Sequence, residues 1–212
     1  MRVMTYNLKG LHLSAHAAAA VVRDAAPDVL AVQEPPRGLR GRRRMRRFAA
    51  AVGLVAVVNG RGARTTALLV RPGLAVDGAR AVRLSWRPGR TRRGVSTASV
   101  DGVTFVSVHL SLVRVERAAH LERLLDEVVP QTRAIVLGDL NEQPNGPAWA
   151  RLADHLAAIA VDTGPTFPAI APRQRIDAVL ATPDLTVVGA HVPDGPAVER
   201  GSDHRPIVVD LA

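Results

Sequence analysis

The stretch "AIVLGDLNEQP", residues 134–144, decides how this chain is to be read. Its four apolar residues, Ala134 to Leu137, form a run of the length and character of a strand buried on both faces, and Gly138 closes it. Asp139 and Asn141 follow at once. Residues two apart on an extended backbone point the same way, so the spacing predicts an acid–amide pair held rigidly at the end of a core strand. The plain structural alternative is an Asx-type turn, in which Asp139 bonds its own local backbone.

Working outward, strand-like segments ending in polar residues recur, with helical patterns between several of them. That alternation predicts α/β or α+β architecture. "RVMTYN" leads to a helix from Ser14, a natural N-cap, to Asp24, with Pro27 beyond it. "DVLAVQE" reads as an apolar strand ending at Glu34. In "RGLRGRRRMRRFAAAVG", Leu39, Met45, Phe48 and Ala49 are expected on one face of a basic helix. From Leu54 to Leu110 the pattern is mostly antiparallel strands, and Asp101-Gly102 signals a two-residue hairpin. "RVERAAHLERLLDEVV" carries Val115, Leu121, Leu124, Leu125 and Val128 at helical spacing, with Pro130 as its stop. A short helix around Pro147 to Ala157, a proline-rich loop, and the strands "RIDAVLA", "LTVVGAHV" and "PIVVDL" complete the chain. No repeat and no linker divides it, so residues 1–212 are expected to form one catalytic domain.

Composition narrows the chemistry. The chain has no cysteine, which excludes disulfide scaffolds and thiolate metal sites and leaves carboxylate, amide and imidazole as ligands. No apolar run reaches the roughly 18 residues of a membrane span, and the N-terminal segment lacks the order of a secretory signal. A cytoplasmic protein without stable membrane association is the expectation, and a monomer. A net charge of +9 with 28 basic residues favours an anionic partner. Lys9 is the sole lysine, so part of this charge reads as the arginine bias of a G+C-rich genome.

Polar residues mark the strand ends in a definite order: Asn7, Glu34, His109, Asp139 with Asn141, Asp177, then Asp203 with His204. Each has a bland reading. Asn7 caps a turn, Glu34 is solvated, His109 is a satisfied core histidine, Asp177 pairs with Arg173 or Arg175, and "GSDHRP" is a loop entering a strand. Taken together they converge, because strands of one sheet bring their ends to a common rim. Two carboxylates, Glu34 and Asp203, with an amide oxygen suit a hard cation such as Mg²⁺. Histidines and further acids then remain for proton transfer and for holding anionic oxygens. That is the chemistry of phosphoester hydrolysis.

The motifs "MTYNLKG", "AVQE", "VSVHL", "LGDLNEQP", "TFPAIAPRQRIDAVL" and "GSDHRPI", in this order between residues 4 and 207, resemble the endonuclease/exonuclease/phosphatase superfamily, the DNase I-like fold. The resemblance implies a four-layer α/β/β/α sandwich of two packed mixed sheets flanked by helices. It also implies roles: Glu34 as main metal carboxylate with Asn7 and Asp203 beside it, under Mg²⁺ or Mn²⁺. Asp139 then orients or deprotonates the attacking water, and Asn141 holds phosphate or water. His204, oriented by Asp177, is base or electrostatic partner, and His109 bonds a nonbridging oxygen. Which group takes the proton stays open.

Within the superfamily, "VSVHL" is similar to the branch of nucleases, sphingomyelinases and inositol-phosphate phosphatases. Abasic-site enzymes usually carry a tyrosine motif there, and some have an acid where this chain has Lys9. Aromatics are only 3 % and Tyr6 is the sole tyrosine, so stacking platforms for bases are few. The leading expectation is a metal-dependent nuclease or nuclease-like phosphodiesterase, with DNA or RNA among its substrates. A phosphatase or phosphodiesterase on a small or lipid-derived phosphoester comes second, and a non-catalytic anion-binding module last. The arginine tract Arg37–Arg47 reads equally as a polyanion track and as a solvated helix face. Trp86 and Trp149 read as packing residues, and His12, His16, His120, His155 and His191 as structural or exposed.

Overall fold

The computed structural model describes residues 1–128, 133–159 and 163–212. One sheet is built from β1 (Arg2–Asn7), β2 (Val29–Gln33), β3 (Val55–Asn59), β4 (Thr66–Val70), β11 (Val187–His191) and β12 (Ile207–Leu211). The other holds β5 (Val76–Arg83), β6 (Gly94–Val100), β7 (Val103–His109), β8 (Ala134–Asp139), β9 (Ala157–Ile159) and β10 (Asp177–Ala181). Their orders are β11-β12-β1-β2-β4-β3 and β5-β6-β7-β8-β10-β9. Both sheets are mixed: β1 with β2 and β7 with β8 run parallel, and the other pairs antiparallel.

Alternation along each strand sets the layers. Val3, Val29, Leu68, Phe105, Ile135, Leu137, Val179 and Val209 point between the sheets and form the central core. Their sequence neighbours Met4, Leu30 and Leu69 point outward against α1 (Ala15–Ala25), α2 (Gly41–Ala51) and α5 (Pro196–Gly201), through Val22, Met45 and Val198. On the far side Val106, Val136 and Leu180 pack against α3 (Arg114–Val128) and α4 (Pro147–Ala153), through Leu124, Trp149 and Leu152. The result is the expected α/β/β/α sandwich, with five α-helices among the described residues.

Local signals place most elements. The Ser14 hydroxyl accepts a hydrogen bond from the Ala17 N–H at 3.1 Å and starts α1. Asp101 and Gly102, at φ 48° and 78°, make the β6–β7 hairpin turn. Other expectations are corrected. Leu39 lies before α2 and is exposed, so only Met45, Phe48 and Ala49 form the buried face. Val115 is exposed while Leu121, Leu124 and Leu125 are buried; Pro130 and the side chain of Val128 lie outside the described residues. α4 ends at Ala153 and the chain enters the short β9 instead of staying helical. Residues 196–201, to which the sequence reading gave no element, form α5.

Candidate active site

The site is where inward-facing rows of the two sheets become polar. In the β1–β2–β4 sheet, Asn7 lies opposite Gln33, and Gln33 opposite Thr66. In the β7–β8–β10 sheet, Asp139 lies opposite both His109 and Asp177. Directly paired residues share a face, so three adjacent strands line up an imidazole and two carboxylates. All of Asn7, Gln33, His109, Asp139 and Asp177 are buried.

Gly138 makes this row possible. A Cβ there would fall 2.0 Å from the Val108 carbonyl oxygen of the parallel neighbour, so only glycine lets β7 and β8 run together up to the acid. Asp139 then receives three contacts. The Asn7 side-chain amide donates to Oδ2 at 3.2 Å, and His109 Nε2 lies 3.5 Å from the same oxygen. The Asn141 N–H donates to Oδ1 at 2.8 Å.

That last bond is an Asx turn, and Asn141 sits at φ 51° in the left-handed region. The extended acid–amide pair is therefore corrected: the chain leaves the strand at Asp139, and the Asn141 amide turns to donate to the Leu110 carbonyl at 2.8 Å. The turn does not compete with a functional reading; it locks the carboxylate's orientation.

His204 approaches from the loop between α5 and β12. Its Nδ1 meets Asp177 Oδ2 at 2.9 Å, leaving Nε2 facing the Asn7 amide at 3.5 Å. Asp177 thus pairs with His204, not with Arg173 or Arg175. The Phe167 ring lies against the imidazole, 4.8 Å between centroids. Burial alone pulls the His204 pKa down, but the charge and hydrogen bond of Asp177 outweigh it and raise it to about 9. Burial, then repulsion from Asp177, raises Asp139 out of the ordinary carboxylate range. For His109 burial dominates, with Arg93 and His204 adding to it, and its pKa falls well below 6.5. A protonated imidazole, a neutral one and a reluctant carboxylate therefore share one cleft.

Glu34 stands at the mouth. β2 ends one residue before it, and Glu34 has φ 49°, a costly conformation for a side-chain-bearing residue. Two backbone bonds hold it there: its N–H donates to the Thr65 carbonyl at 2.9 Å, and its carbonyl accepts from the Gly10 N–H at 2.7 Å. Its half-exposed carboxylate approaches His109 Nε2 only to 3.9 Å, beyond hydrogen-bond reach. Asp203, also partly exposed, pairs with the Lys9 ammonium at 2.8 Å.

Two sets of groups could hold a metal ion. Among the described residues, donor atoms of Asp139, Asp177 and His204 lie within 4.8 Å of one another. A metal bound by all three would have to displace the His204–Asp177 bond, so this set is better suited to proton transfer. Glu34, Asp203 and Asn7 offer oxygens only, the donor type of a hard divalent cation, with the Asn7 oxygen already accepting from the Lys9 N–H at 3.1 Å and Asp203 paired with the Lys9 ammonium. The uncommitted carboxylate of Glu34, on a backbone pinned into a strained conformation, is the observation in favour of that fit.

Several site residues escaped the sequence reading. Gln33 accepts from the Thr5 hydroxyl at 3.1 Å and donates to the Ser107 hydroxyl at 3.3 Å, bridging the two sheets under the site. The Thr66 and Ser96 hydroxyls make a second bridge at 2.9 Å. The Ser202 hydroxyl donates to the Asn7 carbonyl, and buried Arg93 donates to the His109 carbonyl at 3.3 Å. A signal existed for Gln33 and Ser107: period two places them on the same face as Ala31 and Phe105. For Arg93 no comparable signal existed.

Two packed mixed sheets flanked by helices, with acids and imidazoles at one end of the inner layer, define the DNase I-like class of phosphoester hydrolases. The chain belongs to the endonuclease/exonuclease/phosphatase family, whose model matches residues 4–204. Among solved structures it is similar to an endonuclease/exonuclease/phosphatase from Beutenbergia cavernae DSM 12333, at 26 % identity and TM-score 0.76, over 100 % of this chain and 71 % of that one. A mannosyl-6-phosphatase from Bacteroides thetaiotaomicron VPI-5482 shares the fold at 16 % identity and TM-score 0.79, over 100 % of this chain and 99 % of the other. An AP endonuclease from Archaeoglobus fulgidus does so at 18 % and 0.75, again over 100 % and 99 %. No curated protein matches the sequence. Among the described residues no helix is long and apolar enough to cross a membrane.

Proposed function

We propose that this protein is a Mg²⁺- or Mn²⁺-dependent phosphodiesterase, a nuclease or nuclease-like enzyme that cleaves by direct attack of water. The observation that carries the reading is the row His109–Asp139–Asp177 across three neighbouring strands, facing Asn7 and joined by His204. Residues from opposite ends of the chain meet there, and the fold alone needs none of those polar groups.

Phosphodiester cleavage requires neutralising the phosphate and aligning water opposite the leaving oxygen. A divalent cation held by Glu34, Asn7 and Asp203 would supply Lewis acidity and charge neutralisation. Asp139, fixed by Asn7 and the Asn141 N–H, is suited to orient the water and accept its proton. His204, held by Asp177, presents Nε2 as a charged donor to the phosphoryl group. His109, neutral, is suited to donate to a nonbridging oxygen, with Asn141 beside it. We assign the general base to Asp139 because Asp177 occupies the other face of His204 and keeps it a donor.

A small phosphoester is the second reading. It is favoured by the scarcity of aromatic residues, 3 % of the chain, that could stack on bases. A cytoplasmic monomer is the setting this function assumes. The test is a panel of duplex and single-stranded DNA, RNA, sphingomyelin, inositol phosphates and chromogenic diesters, each with Mg²⁺, Mn²⁺, Ca²⁺ or EDTA. Hydrolysis of a diester that EDTA abolishes supports the reading. Absence of hydrolysis across the panel, or turnover indifferent to EDTA, overturns it.

A further inference from the structure

Beside Glu34 lies a groove of about 640 Å³ whose lining includes Arg37, Arg42, Arg61, Arg64 and Arg92 and no acidic residue. Its arginines come from separate parts of the chain: the loop after β2, the first turn of α2, the β3–β4 connection and the β5–β6 loop. None of the five has a carboxylate partner among the described residues. An arginine-biased genome would scatter such residues over the surface; it does not explain why four segments aim them into one concavity. Like charges brought together repel, and the arrangement is relieved by an anion that takes guanidinium groups in pairs.

The groove is also built. Gly60, at φ 117°, lies directly against the Arg42 side chain, so that a Cβ there would fall 2.6 Å from its Cδ unless the arm moved. The Arg42 arm therefore lies along the β3 end, and the Asn59 amide donates to the Arg42 carbonyl at 3.1 Å. Its wall continues into the site: Pro35 and Pro36 join it to Glu34, and next to Arg92 the buried Arg93 reaches the His109 carbonyl. Recognition there is by charge, since the one indole nearby, Trp86, has its face covered by Arg92 at 4.1 Å. Beyond the groove the exposed Arg43, Arg46 and Arg47 of α2 continue the basic surface.

We propose that this groove is a second anion subsite, which seats a non-hydrolysed phosphate of a polynucleotide strand while its scissile phosphate lies at Glu34, Asp139 and His204. The proposal rests on the phosphodiesterase reading and deepens it. Phosphates set along a backbone match arginines set along a wall, and contacts of this kind position a strand without reading its sequence.

The test measures binding of a fluorescein-labelled DNA duplex by anisotropy in EDTA, over a range of salt. The double variant Arg61→Gln/Arg64→Gln is compared with Arg23→Gln/Arg200→Gln, which removes the same charge from exposed positions on α1 and α5. The groove variant is expected to weaken binding by about 10-fold or more at ~0.1 M salt and to flatten the log–log salt slope by about 1–2. The control should match the wild type, and thermal melts should show all three equally folded. Equal weakening in both variants, or none in either, overturns the proposal. So does arginine-dependent binding of inositol hexakisphosphate without arginine-dependent binding of the duplex, which would assign the groove to a small ligand. Binding in EDTA needs no turnover, so an enzyme inert toward every diester would sink the phosphodiesterase reading and leave this result legible.

Discussion

The layer between the two sheets has two unlike ends. At one, Val3, Val29, Phe105, Ile135 and Val209 are fully buried and apolar. At the other, the same strands on the same face carry Asn7, Gln33, His109 and Asp139. The backbone pattern does not change between them; only the side chains do. Burying polar groups costs free energy unless they are paired, so the apolar end must stabilise a sandwich that the polar end weakens. The molecule thus separates the part that holds it together from the part that acts.

Phe105→Ala should break the comparison most severely. It empties the apolar end and is expected to cost about 3–5 kcal/mol, read from denaturant unfolding, while turnover per folded molecule stays at the wild-type level. The polar end should behave oppositely. Asp139→Asn or His204→Ala should lower turnover by at least ~10², and Asp139→Asn, which keeps a polar side chain of the same shape, should leave the unfolding midpoint close to wild type. Equal activity in wild type and both variants would refute the assigned roles.

Gln33→Leu sharpens the boundary between the ends. It leaves the Thr5 and Ser107 hydroxyls without their buried partner, and a loss of about 1–3 kcal/mol is expected in urea melts. No measurable loss would mean that the bridge contributes nothing to joining the sheets.

The smallest effect is a titration. His204 should hold its proton to about 9, against 6.5 for a free imidazole. Its folded pKa is the higher one, so the stabilisation from Asp177 is fully present below 6.5 and fades as pH rises through about 9. Asp177→Asn removes the largest of the influences that raise it and leaves only the charges of Asp139 and Asp203 against burial, so the imidazole should titrate lower by NMR in EDTA. An unmoved titration would show that Asp177 does not set the charge of His204.

Much of this was legible in the sequence because period two and turn chemistry are local. "AIVLGD" and "VSVHL" announce buried strands, and their last inward residues, Asp139 and His109, become neighbours once β7 and β8 pair in parallel. Ser14 and Asp101-Gly102 act through bonds within a few residues, so they too could be read. Contacts that depend on the meeting of sheets were hidden, Gln33 with Ser107 and Thr66 with Ser96, and so was the pairing of Lys9 with Asp203 from loops at the ends of neighbouring strands. α5 was missed because six residues bounded by glycines and opened by proline resemble a loop. Asn141 was expected on an extended backbone, but extended spacing ends where the left-handed turn begins.

Glu34 is tethered through its main chain on both sides, to Thr65 and to Gly10, while its side chain stays half-exposed at the mouth of the cleft. An ion bound there, as proposed, would not have to freeze the peptide that presents the carboxylate; that ordering was completed when the protein folded. Folding bears that entropic loss in advance, and a capture event at this carboxylate would be spared it.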